Sequence, residues 1–166
     1  MKTHRRSIAL LSLGLGSLAA VLGLTTFSGN SLPTAQLLPA VASAPEPNPL
    51  AQQLQGKPTV VKIYADWCPA CQRLQPITNS LQQEFNGKAN FVVFDVTDRA
   101  TSQAATEKAR QLGLSDFLAA HRAQTSTVSI INPSNGQVLT QFRYNFDRQD
   151  YVDGIERAVE RLTASK

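Results

Sequence analysis

Cysteine, histidine and methionine are scarce in this chain: two, two and one among 166 residues. A tetrahedral zinc site needs four ligands, and beyond the basic N-terminal tip only Cys68, Cys71 and His121 are on offer, so no metal site is expected. Copper carriage calls for methionine or more histidine, and Met1 stands alone. Acid is missing before Glu46, whereas Lys2, Arg5 and Arg6 fall in the first six residues. The net charge of +4 therefore reports a basic tip, because from Glu46 onward 13 Lys and Arg face 12 Asp and Glu. No stripe of Lys and Arg with interleaved aromatics is present, which argues against nucleic-acid binding. Internal repeats are also absent. With 42% hydrophobic and 17% charged residues, the chain is neither a polyelectrolyte nor a polytopic membrane protein, and its length suits one domain plus an extension.

The extension is legible in its composition. Residues Ile8 to Phe27 form an uncharged run of 20 residues rich in Leu, Ala and Gly. At about 1.5 Å per residue, a helix of that length reaches about 30 Å, the thickness of a membrane's hydrocarbon layer. Residues 1–27 are thus expected to be an uncleaved membrane anchor or a signal peptide, with Ala40-Val41-Ala42 and Ala42-Ser43-Ala44 as distant small-x-small cleavage sites. Either reading leaves the basic residues on the cytoplasmic side and the remainder outside the cytoplasm. Residues 28–56 carry five of the nine prolines and one charge, Glu46, as in an extended tether. Within it, Asn48 and Pro49 are suited to cap and begin a short helix, Leu50 to Gln55, stopped by Gly56.

Residues 57–166 alternate between strand and helix periods. Val60 to Ala65 is a β-branched run, and Leu74, Ile77, Leu81 and Phe85 then recur at helical spacing. Phe91 to Val96 is a second strand, and Arg99 to Leu112 a helix ended by Gly113. Ser115 is placed to cap another helix, Asp116 to Ala123. Thr127 to Ile131 and Val138 to Tyr144 flank a turn-rich connector and read as a hairpin. The last helix, Arg148 to Leu162, puts Tyr151, Ile155, Val159 and Leu162 on one face.

The two cysteines stand in Trp67-Cys68-Pro69-Ala70-Cys71, between the first strand and its helix. There the first sulfur meets the unpaired N–H groups and dipole of a helix N-terminus, which favour thiolate. The second lies one turn on, able to attack a mixed disulfide made by the first. A structural staple across so short a loop adds little stability, and the remaining bland reading is a pair of buried, inert thiols.

The string KPTVVKIYADWCPACQRLQP, with Pro76 eight residues after Cys68, and the later NFVVFDVTD resemble the thioredoxin superfamily. In particular they are similar to membrane-anchored thioredoxin-like proteins of thylakoids and the bacterial periplasm, and to the C-terminal domain of DsbD-type thiol:disulfide interchange proteins. The resemblance implies an α/β thioredoxin fold, a central mixed sheet flanked by helices, here with a short helical insert over 114–125 before the hairpin. It implies an enzyme, a thiol:disulfide oxidoreductase, with Cys68 as nucleophile and Cys71 as resolving thiol, tuned by Trp67, Pro69 and Ala70, with Pro76 kinking the helix. Without it, Trp67 reads as a core aromatic. Protein thiols and disulfides are the implied partners, a membrane-embedded dithiol carrier among them, with no bound cofactor, in the periplasm or thylakoid lumen.

Three positions depart from that pattern. Ser126-Thr127 stands where the family has a cis-proline dipeptide in its substrate loop, and a cis bond before serine costs about 2.5–4 kcal/mol, so a trans or strained loop is expected. Loss of that proline also opens an intermolecular metal or iron–sulfur reading. Lys62 replaces the family's buried acid; it is either a redox-tuning cation beneath the dithiol or a side chain snorkelling outward. Ser126 lies 13 residues after Gly113, farther than in the family, so the insert with Phe117, Leu118, His121 and Arg122 is expected near the site as a lid or partner surface. A redox-silent binding module on the same scaffold is the rival function.

Overall fold

The structure, a computed structural model, describes residues 48–164. The anchor or signal expected over 1–27 and most of the linker expected over 28–56 lie outside these residues. Among the described residues no helix is long and apolar enough to cross a membrane.

The domain is organised around the strand Thr59–Tyr64 (β1), where Val60, Val61 and Ile63 favour extended backbone and five of the six side chains are buried. Successive side chains point to opposite faces. Val61 and Ile63 enter one half of the core, and Val60 the other. The helix Pro69–Glu84 (α1) crosses back to the strand Asn90–Asp95 (β2), which pairs with β1 in parallel from Thr59 opposite Asn90 to Tyr64 opposite Asp95. Next come the helices Arg99–Leu112 (α2) and Ser115–His121 (α3). The strands Thr127–Ile131 (β3) and Val138–Arg143 (β4) form an antiparallel hairpin, with β3 antiparallel to β1 as well. The sheet order is β2-β1-β3-β4, and the helix Arg148–Ala164 (α4) closes the domain.

One face of the sheet packs on α2 and α3 through Ala105, Ala109, Leu112 and Leu118. The other packs on α1 and α4 through Leu74, Leu81, Tyr151 and Ile155. Gly154 allows α4 to lie close to the sheet, since a Cβ there would come within 3.0 Å of Ile130 Cδ1. A mixed sheet covered by helices on both faces, with a helix before the hairpin, is the thioredoxin fold expected from the sequence.

Several local expectations are corrected. The segment before β1 forms only a 3-10 turn, Gln52–Leu54, in place of a helix over 50–55. Leu50 and Leu54 are nevertheless buried in the core, ahead of the expected domain start at Lys57. Ser115 begins α3 rather than capping it: Leu114, buried in the core, holds the cap position, and its hydrocarbon side chain has no atom to accept a hydrogen bond. On α4, Val152, Gly154 and Ala158 join the buried face, while Val159 is only partly covered.

Candidate active site

The site forms where β1 ends and α1 begins. Cys68 is the N-cap residue of α1 and Pro69 follows at the first helical position, where a missing N–H costs nothing and the fixed φ suits the helix. The Cys71 N–H donates to Cys68 Sγ at 3.2 Å, one of the four N–H groups that a helix start leaves unpaired. Both thiols are free; Cys68 keeps 5% of its surface and Cys71 none. Pro76 lies inside α1, where its ring removes a backbone donor.

The two sulfurs differ in chemistry. Burial pushes the Cys68 thiol up, but hydrogen bonds from the Cys71 side chain, the Thr125 hydroxyl and the N–H groups of Cys71 and Ala70 outweigh it and hold it below the ordinary thiol range. Burial also pushes the Cys71 thiol up, and the adjacent Cys68 pushes it further, against the opposing N–H groups of Ala65 and Ser126. The Cys71 thiol faces the Ile63 carbonyl oxygen at 4.0 Å, and the Ser126 N–H donates to that same oxygen at 3.1 Å. One sulfur is thus readied as thiolate and the other kept as thiol.

Trp67 is 62% exposed, which overturns its reading as a core aromatic. Its indole N–H donates to the Thr97 carbonyl at 2.9 Å, and the Thr97 hydroxyl accepts from the Asp66 N–H at 3.0 Å. The ring is therefore tied to the loop after β2 and stands beside the dithiol with an open face. Ala70 packs against the small cluster around Ala65, Cys68 and Cys71.

Lys62 does not snorkel outward. It is 3% exposed, and its Nζ donates to Gln75 Oε1 at 2.6 Å and Thr78 Oγ1 at 3.0 Å, both on α1, while lying 5.2 Å from the Tyr64 ring centroid. Burial lowers its ordinary lysine affinity for the proton, and Cys71 acts in the opposite sense.

No peptide bond among the described residues is cis, and Ser126 adopts φ +61°. This is left-handed backbone, uncommon for a residue with a Cβ. Ser126 is 1% exposed and its hydroxyl has no partner. Thr127 is a fully buried β3 residue paired with Ile63 rather than part of an open loop.

The insert is divided between core and site. Leu118 is buried and Phe117 packs beside it, 4.5 Å from the His121 ring, so these two do not form an open partner surface. Arg122 lines a groove of about 470 Å³ with Val96, Thr97, Asp98 and Arg99, next to the Trp67 anchor. Three residues on, Thr125 reaches Cys68; the sequence reading missed Thr125, because a hydroxyl's partner from a distant strand end leaves no local signal. Among the described residues no three potential metal ligands come together.

A dithiol at the N-terminus of the helix that follows the central strand of a mixed sheet is the arrangement of thioredoxin-like thiol:disulfide oxidoreductases. Residues 46–112 match the thioredoxin family model, so over this stretch the chain is similar to thioredoxins. Over 52 residues it is 42% identical to the thioredoxin-like protein HCF164, chloroplastic, of Arabidopsis thaliana, covering 31% of this chain and 20% of that protein. Over 56 residues it is 41% identical to the thiol:disulfide interchange protein TxlA homolog of Synechocystis, covering 33% and 31%. Over 70 residues it is 36% identical to the thiol:disulfide interchange protein DsbD of Yersinia enterocolitica, covering 41% and 12%. The chain therefore spans less than a third of the length of each of these relatives.

Proposed function

We propose that this protein is an extracytoplasmic, membrane-anchored thiol:disulfide oxidoreductase that acts on protein dithiols and disulfides through Cys68-Pro69-Ala70-Cys71. The observation that carries this reading is the asymmetry of the pair: a Cys68 thiol held low at a helix N-terminus and a buried Cys71 thiol held high, in contact with it. Cys68 thiolate attacks a partner's disulfide, forming one mixed S–S bond and releasing one partner thiolate. Cys71 then attacks Cys68 Sγ, the second partner sulfur leaves, and the pair is oxidised while the partner is reduced; the reverse sequence oxidises the partner.

Residues 57–166 form the catalytic part in this reading, and the exposed Trp67, beside Pro69 and Ala70, offers an apolar face to a partner. Arg122, at the end of the insert, extends that surface into the groove beside Thr97 and contributes to partner choice. Electrons pass to or from another protein dithiol, a membrane-embedded carrier being the partner of choice for a protein held at the membrane by residues 1–27. The basic tip and apolar run support the periplasm or the thylakoid lumen, in keeping with the relatives named above.

The test is trapping. Cys71→Ser is expected to accumulate mixed disulfides with partner proteins on a non-reducing gel of isolated membranes, and Cys68→Ser to accumulate none. If Cys68→Ser changes neither turnover nor partner capture, a redox-silent binding module replaces this reading.

A further inference from the structure

Among the described residues Lys62 is the one buried lysine, and the exchange chemistry above does not use its ammonium. Buried charges are normally paired, because an ion stripped of water and left without a counter-charge is costly. Among the described residues the ion pairs are Arg110 with Glu107 and Arg148 with Glu84, so Lys62 has no carboxylate partner. Gln75 and Thr78 provide hydrogen bonds but no charge, and they occupy two of the three donors of the ammonium. The Tyr64 ring provides only a weak negative face, and the sheet neighbours in register, Val93 and Val128, are apolar. The group on α1 that can become an anion here is Cys71, one helical turn before Gln75 and facing the same buried strand, β1.

We propose that Lys62 is the counter-ion for the Cys71 thiolate, a positioning residue that lets the buried resolving sulfur ionise where no carboxylate is at hand. The inference rests on the proposed exchange reaction and specifies its second half. Cys71 gives up its proton as the partner's leaving sulfur takes one, so the exchange is proton-neutral. The Cys71–Cys68 bond forms as the Cys68–partner bond breaks, and the ammonium remains protonated throughout. Its flexible stem and spare donor allow it to turn from Thr78 toward Cys71 without leaving the layer between β1 and α1. Because a cation beside the thiolate favours the reduced, ionised pair, it also makes the disulfide a better oxidant.

The experiment uses the reduced full-length protein and a chromogenic aromatic disulfide, dithiobis(nitrobenzoate), whose released thionitrobenzoate is coloured, in a stopped-flow instrument across pH. The first thionitrobenzoate release reports attack by Cys68 and the second reports attack by Cys71. Lys62→Met is expected to leave the first release unchanged and to slow the second about three- to tenfold at neutral pH, with its midpoint about one unit higher. Lys62→Arg restores the second release. Lys62→Gln, which can still bond to Gln75 and Thr78, behaves like Lys62→Met and serves if Lys62→Met does not melt cooperatively. A second release with an unchanged midpoint in the neutral variants, or equal slowing of both releases, overturns the assignment. Absence of the first release in the unmodified protein overturns the exchange reading itself.

Discussion

Ser126 combines left-handed backbone with a buried hydroxyl that bonds to nothing. Left-handed backbone costs an ordinary residue about 1–2 kcal/mol, and an unpaired buried hydroxyl about 1–3 kcal/mol. Such outliers persist where the surroundings over-determine them, and here the N–H is held by Ile63 and the carbonyl by Tyr144, against the sheet that supports Cys71. Ser126→Gly removes both costs and adds about 1 kcal/mol of unfolded-chain entropy, so it is expected to stabilise the domain by about 1 kcal/mol or more, read as a higher urea midpoint. Proline cannot reach φ +61°, so Ser126→Pro is expected to lower the same midpoint unless the loop rebuilds. The thiols of the neighbouring pair give a second expectation. At neutral pH, iodoacetamide is expected to label Cys68 well before Cys71, with the Cys68 rate turning up below the ordinary thiol range and the Cys71 rate above it as pH rises. Because the Cys68 thiol is held low in the fold, its contribution to stability is present above the unfolded value and is lost as pH falls through the folded one. Cys71 is held high, so it opposes this, costing stability as pH rises past the unfolded value.

The start of α1 was readable from five letters, because a cysteine cap, a proline at the first helical position and a preceding β-branched strand leave few alternatives. The four strands and the two helices α2 and α4 were equally legible as elements, although α4 buries Val152, Gly154 and Ala158 beyond the expected face and β4 stays at least partly exposed. What escaped depends on contacts between distant segments. The exposure of Trp67 follows from the Thr97 carbonyl that holds its indole, and the burial of Lys62 from Gln75 and Thr78 on the helix above it. Ser115 looked like a cap, but burying Leu114 and Leu118 together advances the helix start by one residue. Glycine at 154 was equally silent in sequence, where it only interrupts an amphipathic pattern. In the fold it sits against Ile130 and Phe142, whose side-chain atoms would lie 3.0–3.3 Å from a Cβ. Gly154→Val is expected to lift α4 from the sheet and cost about 1–3 kcal/mol, as overpacked cores do, with thermal unfolding of the reduced protein as the measure. Gly154→Ala is the milder case, because the helix propensity gained, about 1 kcal/mol, works against the closer contact.

The core of the domain reaches further back along the chain than the composition suggests. Leu50 and Leu54 are 4% and 6% exposed and pack with Leu112, Leu114 and Ile131. The backbone around them is tied in at both sides: the Leu50 N–H donates to the Pro133 carbonyl at 2.8 Å, and the Ala51 N–H to the Leu112 carbonyl at 3.0 Å. The Asn90 side chain holds the Leu54 carbonyl at 2.8 Å, and Gln55 bridges the carbonyls of Leu50 and Pro133. Gly136 completes the junction, since any Cβ there would lie 2.7 Å from the Asn48 carbonyl oxygen at a φ of +69°. A segment that looks like a tether in composition therefore clasps α2, the β2 entrance and the hairpin turn together. Two buried leucines contribute about 1.5–3 kcal/mol each, so losing both removes about 3–6 kcal/mol from a total that for a domain is usually about 5–15. A chain beginning at Lys57 is thus expected to unfold at a much lower urea concentration than one beginning at Pro45, and to expose the β1–β2 edge of the core to proteolysis. Equal urea midpoints for the two chains would show that the clasp adds nothing, and would put the start of the cooperative unit at β1. A large difference would mean that residues 50–56 belong to the folded body that carries the dithiol, so that the cooperative unit begins before Leu50 rather than at β1.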